Sequence, residues 1–98
     1  MTRRTWGPPK LLVPDEQAYV SAQLAAERLD ITPYTLTQWA MHGYIQQYYI
    51  GLMPEIKYFY EIKEIEKLEQ FLAEEYKTHQ GKWSTWSKSI ALRDRYVN

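Results

Sequence analysis

The chain has 98 residues, and its 12 basic and 12 acidic side chains give a formal net charge of zero. This length suits one small domain. The sequence contains no cysteine, which excludes a disulfide scaffold and a cysteine-ligated zinc finger. No segment resembles a signal peptide, and no apolar run is long enough to span a bilayer. We therefore expect a soluble, cytoplasmic protein with no membrane partner.

The first 18 residues predict an irregular N-terminal arm. Gly7, the proline pair after it and Pro14 disfavour the interior of a helix or sheet. Arg3 and Arg4 in this arm are candidates for contacts with an anionic partner. The alternative interpretation of this pair is an untidy chain terminus.

Two short helices are predicted after the arm. Ser21 is a good N-cap for a helix over residues 22–29, whose inward side chains would be Leu24, Ala25 and Leu29. Asp30 and Ile31 form the turn. A second helix begins at Thr32-Pro33, a capping hydroxyl followed by proline at the first helical position, and ends at Gly43. Its buried side chains would be Leu36, Trp39 and Ala40, so Trp39 is interpreted as a core residue.

A β-hairpin and a third helix follow. The run "YIQQYYIGLMPEIKYFY" has two β-prone segments around residues 51–55, which predicts a hairpin with a five-residue loop. Apolar residues then recur at spacings of three and four, which predicts an amphipathic helix over residues 61–78 with Ile62, Ile65, Leu68, Leu72 and Tyr76 on its inner face. We expect three parts: the arm 1–18, a domain 19–78 and a basic tail 79–98.

The zero net charge hides two adjacent segments of opposite sign. Residues 61–76 hold six glutamates and two lysines, a net charge of −4, and residues 77–98 hold five basic side chains and one aspartate, a net charge of +4. A short helix in the tail would place Trp83, Trp86 and Ile90 on one side. Opposite charge and the two tryptophans favour docking of the tail on the acidic helix. The alternatives are that the tail contacts DNA or binds a protein partner.

The order of these segments resembles the MerR and excisionase-like winged helix-turn-helix family. The resemblance covers residues 19–72 and rests on "VSAQLAAERLDITPYTLTQWAMHGYI" and "YEIKEIEKL". The matching positions are Ser21, Ala25, Ala26, Leu29, Ile31, Thr32, Thr35, Leu36, Trp39, Gly43, Ile45, Tyr60, Glu64, Ile65 and Leu68. The resemblance implies a mainly helical α+β fold in which the second helix enters the DNA major groove and the hairpin is a wing beside it.

The side chains that would contact DNA follow from this placement. They are Tyr34, Thr35, Thr37, Gln38, Met41 and His42 on the second helix, Lys57 and Tyr58 on the wing, and Arg3 and Arg4 in the arm. Gln38 is the best candidate for reading a base, because its amide can bond bidentately to an adenine edge. The chain departs from the family at Thr37 and Tyr58, where family members usually carry arginine. The phosphate-pairing charge must therefore come from the arm, Lys57 or the tail.

Enzymatic and metal-binding functions are not indicated. His42 and His79 have no neighbouring ligand residues in the sequence, and the glutamates of residues 61–76 are interpreted as a solvated helix face. There is no nucleophile–base pattern, phosphate-binding loop or dinucleotide fingerprint. We expect a non-enzymatic protein without metal or cofactor.

The leading functional hypothesis is sequence-specific binding of double-stranded DNA. The resemblance implies an excisionase or small transcriptional regulator of a phage or mobile element, acting in DNA recombination or transcription regulation and self-associating on DNA. The alternative is a winged-helix protein-interaction module, in which the uncharged second helix faces a phage or host protein in an assembly or replication complex. The absence of lysine and arginine from residues 35–45 favours this alternative.

Overall fold

The computed structural model describes residues 8–12 and 18–96, which form a helix-rich α+β domain. The elements in chain order are β1 (Lys10–Leu11), β2 (Tyr19–Ser21), α1 (Ala22–Leu29), α2 (Pro33–Met41), β3 (Tyr48–Ile50), β4 (Lys57–Glu61), α3 (Ile62–Thr78), α4 (Thr85–Ala91) and a π-helical segment (Leu92–Tyr96). The predicted α+β class is confirmed.

The caps that define α1 and α2 are those predicted from sequence. The Ser21 hydroxyl accepts a hydrogen bond from the Leu24 amide at 3.3 Å, and the Thr32 hydroxyl accepts one from the Thr35 amide at 3.1 Å. Asp30 ends α1 in the left-handed conformation, with φ of 56°. These local bonds satisfy amide and carbonyl groups at the helix ends and fix the turn between the two helices.

Four short strands form a mixed sheet in the order β1-β3-β4-β2. The predicted hairpin is present as the antiparallel pair β3 and β4, and β2 joins the other side of β4. β1 pairs in parallel with β3, through bonds such as Lys10 N–H to the Gln47 carbonyl at 2.9 Å. The expectation that residues 1–18 are irregular is therefore wrong for Lys10–Leu11. Both residues follow the proline pair, so their amides remain available to an edge strand.

The core lies between the sheet, α1, α2 and α3. Trp39, Tyr60, Leu36, Ile45, Ile65 and Leu68 are its largest fully buried side chains, together with Leu92 from the tail. The predicted burial of Leu36, Trp39 and Ala40 is confirmed. The predicted burial of Leu24 is wrong, because Leu24 is 55% exposed and Ala26 is buried instead. Two small alanines side by side let α1 approach its neighbours closely, which turns Leu24 outward.

The tail docks on the domain, as its charge predicts. Ala91 and Leu92 are fully buried, Tyr96 contacts Phe71 of α3 with ring centroids 5.0 Å apart, and Arg95 pairs with Glu75. The prediction that Trp83 and Trp86 lie on the same side of a tail helix is wrong. Trp83 contacts Tyr76 and His79 on α3 and its C-cap, whereas Trp86 is 74% exposed on the other side of α4. Residues 79–96 thus complete the core.

Candidate functional site

The outward face of α2 is a ridge of three side chains. Tyr34, Gln38 and Met41 recur at spacings of four and three, so they stack along one side of the helix. Tyr34 is 73% exposed, and the Gln38 amide makes only a long contact of 4.0 Å to the Met41 sulfur. These three residues are named the α2 ridge. Gln38 therefore retains hydrogen-bonding capacity for a partner.

Thr37 lies beside the ridge and faces the sheet. Its hydroxyl interacts with the Tyr60 hydroxyl, which also accepts a hydrogen bond from the Gln47 amide at 2.8 Å. Burial raises the pKa of Tyr60 above its usual value, and the bonds from Gln47 and Thr37 act in the opposite direction. Thr37 is half-buried, and this network engages its hydroxyl.

A groove runs between α2 and α4, on the side of the ridge away from the sheet. Its volume is about 590 Å³, and it is lined by Thr35, Gln38, Trp39, His42, Tyr44, Thr85, Trp86, Ser89, Ile90 and Arg93. The indole N–H of Trp39 donates to the Ser89 hydroxyl at 2.9 Å and joins the two helices at the groove floor. His42 stacks on Tyr44 with ring centroids 5.6 Å apart. We call this the donor groove.

The donor groove is rich in hydrogen-bond donors and contains no acidic lining. None of the described residues that line it is Asp or Glu. The Thr35 hydroxyl accepts a bond from the Thr32 hydroxyl at 3.1 Å, so its own proton can be donated. The Gln38 amide, the Trp86 indole and the Arg93 guanidinium add N–H donors. Arg93 pairs with Asp94 at 2.8 Å, and that hydrogen bond lowers the pKa of the Asp94 carboxyl.

The predicted wing residues lie on the other side of the ridge. Lys57 and Tyr58 are exposed at the start of β4. Alternation along the strand places Tyr58 on the sheet face of Tyr60, which interacts with Thr37 of α2. The structure therefore brings Thr37 of α2 together with strand β4 of the hairpin. Arg3 and Arg4 lie outside the described residues.

Five members of the donor groove come from the tail and were not among the predicted site residues: Thr85, Trp86, Ser89, Ile90 and Arg93. The sequence favoured docking of the tail on the acidic helix. The available signal was the spacing of residues 85, 86, 89, 90 and 93, which places them on one face of a helix. That spacing gives no information on the helix against which this face lies.

A second groove lies on the opposite side of α4, between α1 and α3. It has a volume of about 520 Å³ and is lined by Arg28, Leu29, Asp30, Glu69, Leu72, Ala73, Tyr76, Trp83 and Lys88. Arg28 pairs with Glu69 at 2.6 Å. The ammonium group of Lys88 is buried and donates to the Leu29 and Asp30 carbonyls at 3.0 and 3.1 Å. We call this the ion-pair groove, because its cationic groups already have partners.

Comparisons with protein-family models, with curated proteins and with solved structures found no match. Within residues 8–12 and 18–96, no cluster of three or more histidine or acidic side chains could hold a metal ion. Over the same residues, no helix combines the length and apolar character that crossing a bilayer requires. The donor groove and the adjacent α2 ridge are therefore interpreted from their own chemistry.

Proposed function

We propose that this chain is a sequence-specific DNA-binding protein of the winged helix-turn-helix kind. In this proposal α1 and α2 form the helix-turn-helix, α2 enters the major groove, and the β3–β4 hairpin is the wing. The order of elements supports it, because the two capped helices are followed by a hairpin that contacts α2 and by a long helix that covers the core. The observation that carries the proposal is the donor groove beside the α2 ridge.

Gln38 would read a base at the centre of the ridge. Its amide has one acceptor and two donor hydrogens, which match the N6 and N7 groups of adenine. Met41 follows it on the same face and could contact a thymine methyl group. Tyr34 at the other end of the ridge offers a hydroxyl to the sugar-phosphate backbone.

The donor groove would seat one sugar-phosphate strand. Neutral hydroxyl, amide and indole donors bond to phosphate oxygens without a net charge of their own. Arg93 supplies a cation at this edge, where a phosphate would compete with Asp94 for the guanidinium. The charge that is missing from α2 is in this way supplied by the tail. Lys57 and Tyr58 on the hairpin would contact the strand on the opposite side of the ridge.

The proposed biological setting follows the family resemblance. A chain of this kind would act on phage or mobile-element DNA inside the host cell, as an excisionase-like or regulatory protein. Occupying or bending a short site, with several copies side by side, would be sufficient for either role. No catalytic step is required.

A second candidate function is a protein-interaction module. The observation that favours it is that residues 35–45 contain no lysine or arginine, while the ridge exposes Tyr34 and Met41. Aromatic residues and methionine are enriched at protein interfaces. In this case α2 would face a phage or host protein in an assembly or replication complex.

The test is selection of duplex DNA from a random library, followed by titration of the selected site. Gln38→Ala should cost about 1–3 kcal/mol on that site and relax preference at one base pair. Gln70→Ala is the matched control, because Gln70 is an exposed glutamine on α3. An equal loss on random DNA would refute base reading. Absence of DNA binding even at low salt would refute the proposal and support the protein-interaction module.

A further inference from the structure

The hairpin tip exposes two aliphatic side chains that the core does not use. Leu52 and Met53 are 86% and 80% exposed, which makes them the most exposed large apolar side chains among the described residues. They are adjacent in the chain, and Ile50 at the end of β3 is also exposed. Their exposure requires an explanation other than packing of this domain.

The turn that carries them is tightly closed. The Glu55 amide donates to the Leu52 carbonyl at 2.8 Å. Gly51 has a φ of 104°, and a Cβ atom at this position would lie 2.6 Å from the Glu55 carbonyl oxygen. Only glycine suits this backbone position. Leu52 and Met53 are therefore presented by a fixed turn.

The tip projects from the edge of the proposed DNA-binding surface. Tyr60 interacts with Thr37 of α2, and Lys57 begins the same strand three residues earlier. At roughly 3.3 Å per residue the strand extends about 10 Å beyond the contact with α2, and the turn lies further out. With α2 in a major groove about 12 Å wide, this reach takes the tip across one backbone to the adjacent minor groove.

We propose that Leu52 and Met53 form a wedge that inserts between stacked base pairs in the minor groove and bends the duplex. This inference rests on the proposed DNA-binding function. Aliphatic wedges of leucine, methionine or proline partly unstack base steps and kink DNA toward the major groove. Specific protein interfaces use about 20 residues a side, far more than this tip provides. A wedge, in contrast, needs only one or two side chains on a narrow element such as a hairpin turn.

The two charged side chains nearest the tip have opposite signs. Glu55 carries a negative charge in the turn, and Lys57 two residues later carries a positive one. The binding free energy at the tip would therefore come from the apolar contacts. Glu55→Gln should tighten DNA binding, since it removes a charge that phosphate repels.

Ligase-mediated circularisation of mixed-sequence duplexes of about 150 bp, roughly one persistence length, tests the wedge. The full chain should increase the circularisation rate. The double variant Leu52→Ala/Met53→Ala should still bind in a gel-shift assay but lose that increase. Leu24→Ala is the matched control, because Leu24 is an exposed leucine on α1, and it should bend DNA like the unaltered chain.

Three results would overturn the wedge. If the unaltered chain binds DNA without promoting circularisation, the wedge fails and the proposed function stands. The wedge also fails, and the proposed function stands, if the double variant promotes circularisation to the same extent as the unaltered chain. If the unaltered chain binds no DNA, both proposals fail together. Thermal unfolding of each variant checks that the fold is retained. We expect it to be retained, because both side chains are exposed.

Discussion

The two grooves beside α4 are similar in volume, about 590 and 520 Å³, but differ in how their polar groups are satisfied. In the ion-pair groove, Arg28 is held by Glu69 and the Lys88 ammonium by two backbone carbonyls. In the donor groove, the floor is closed by the bond between Trp39 and Ser89, while Gln38 and Trp86 extend above it. Both grooves therefore contain a paired arginine, but the donor groove also has neutral N–H and O–H donors on exposed or half-buried side chains.

This difference indicates which polar groups stabilise the fold and which are available for binding. A buried ammonium that bonds to helix-end carbonyls stabilises the docked position of α4. Neutral donors on exposed side chains add little to stability and are suited to an anionic ligand. Substitutions in the two grooves should therefore separate stability from affinity.

The largest expected effect is at the floor of the donor groove. Trp39→Ala should lower the free energy of unfolding by about 3–5 kcal/mol, because it removes a fully buried indole and leaves a cavity. Chemical denaturation measures this loss. Trp86→Ala is the control on the same groove and should stay within about 0.5 kcal/mol, since Trp86 is mostly exposed. If Trp39→Ala and Trp86→Ala lowered the free energy of unfolding equally, Trp39 would not be the residue that anchors α4 against α2.

Trp39→Phe gives a milder version if the alanine variant does not fold. It keeps an aromatic ring and removes the indole N–H that donates to Ser89. The lost hydrogen bond alone should cost about 1 kcal/mol. A variant as stable as the unaltered chain would show that this bond contributes nothing to helix docking.

The next effect is at the buried lysine of the ion-pair groove. Lys88→Met keeps the aliphatic stem but removes the ammonium group, so the Leu29 and Asp30 carbonyls lose a charged donor. The free energy of unfolding should fall by about 1.5–3 kcal/mol in chemical denaturation. Lys77→Met is the matched control, because Lys77 makes only an exposed pair with Glu74, and it should change stability by less than about 0.5 kcal/mol. DNA affinity at a temperature where the variant is folded should not change.

The smallest effect on stability, and the sharpest on binding, compares one arginine from each groove. Arg93→Ala should flatten the slope of log affinity against log salt by about 0.9, the value for one phosphate contact in duplex DNA. Arg28→Ala should leave the slope unchanged, since Arg28 lies in the ion-pair groove, away from the proposed interface. Titration with duplex DNA at several salt concentrations measures both slopes. If the two variants had identical slopes, the donor groove would not be part of the DNA interface.

Much of the local structure could be predicted from the sequence. The caps at Ser21 and Thr32, the hairpin and the burial of Trp39 follow from hydrogen bonding and periodicity over a few residues. The outer ridge of α2 also followed from helical spacing, so Tyr34, Gln38 and Met41 were found. Helical spacing could not predict that the Thr37 hydroxyl interacts with Tyr60, because Tyr60 is distant in the chain.

The starts of α1 and α2 and the presence of the hairpin could be predicted from the sequence, because capping bonds and apolar spacing act within one element. Packing between elements fixes which sides of α4 form the two grooves. It placed Lys88 at the end of α1, 59 residues away, and Ser89 on Trp39, 50 residues away. The parallel pairing of β1 with β3 is another such contact. These contacts depend on how preformed elements fit together, and side-chain spacing within one element carries no information about its neighbour.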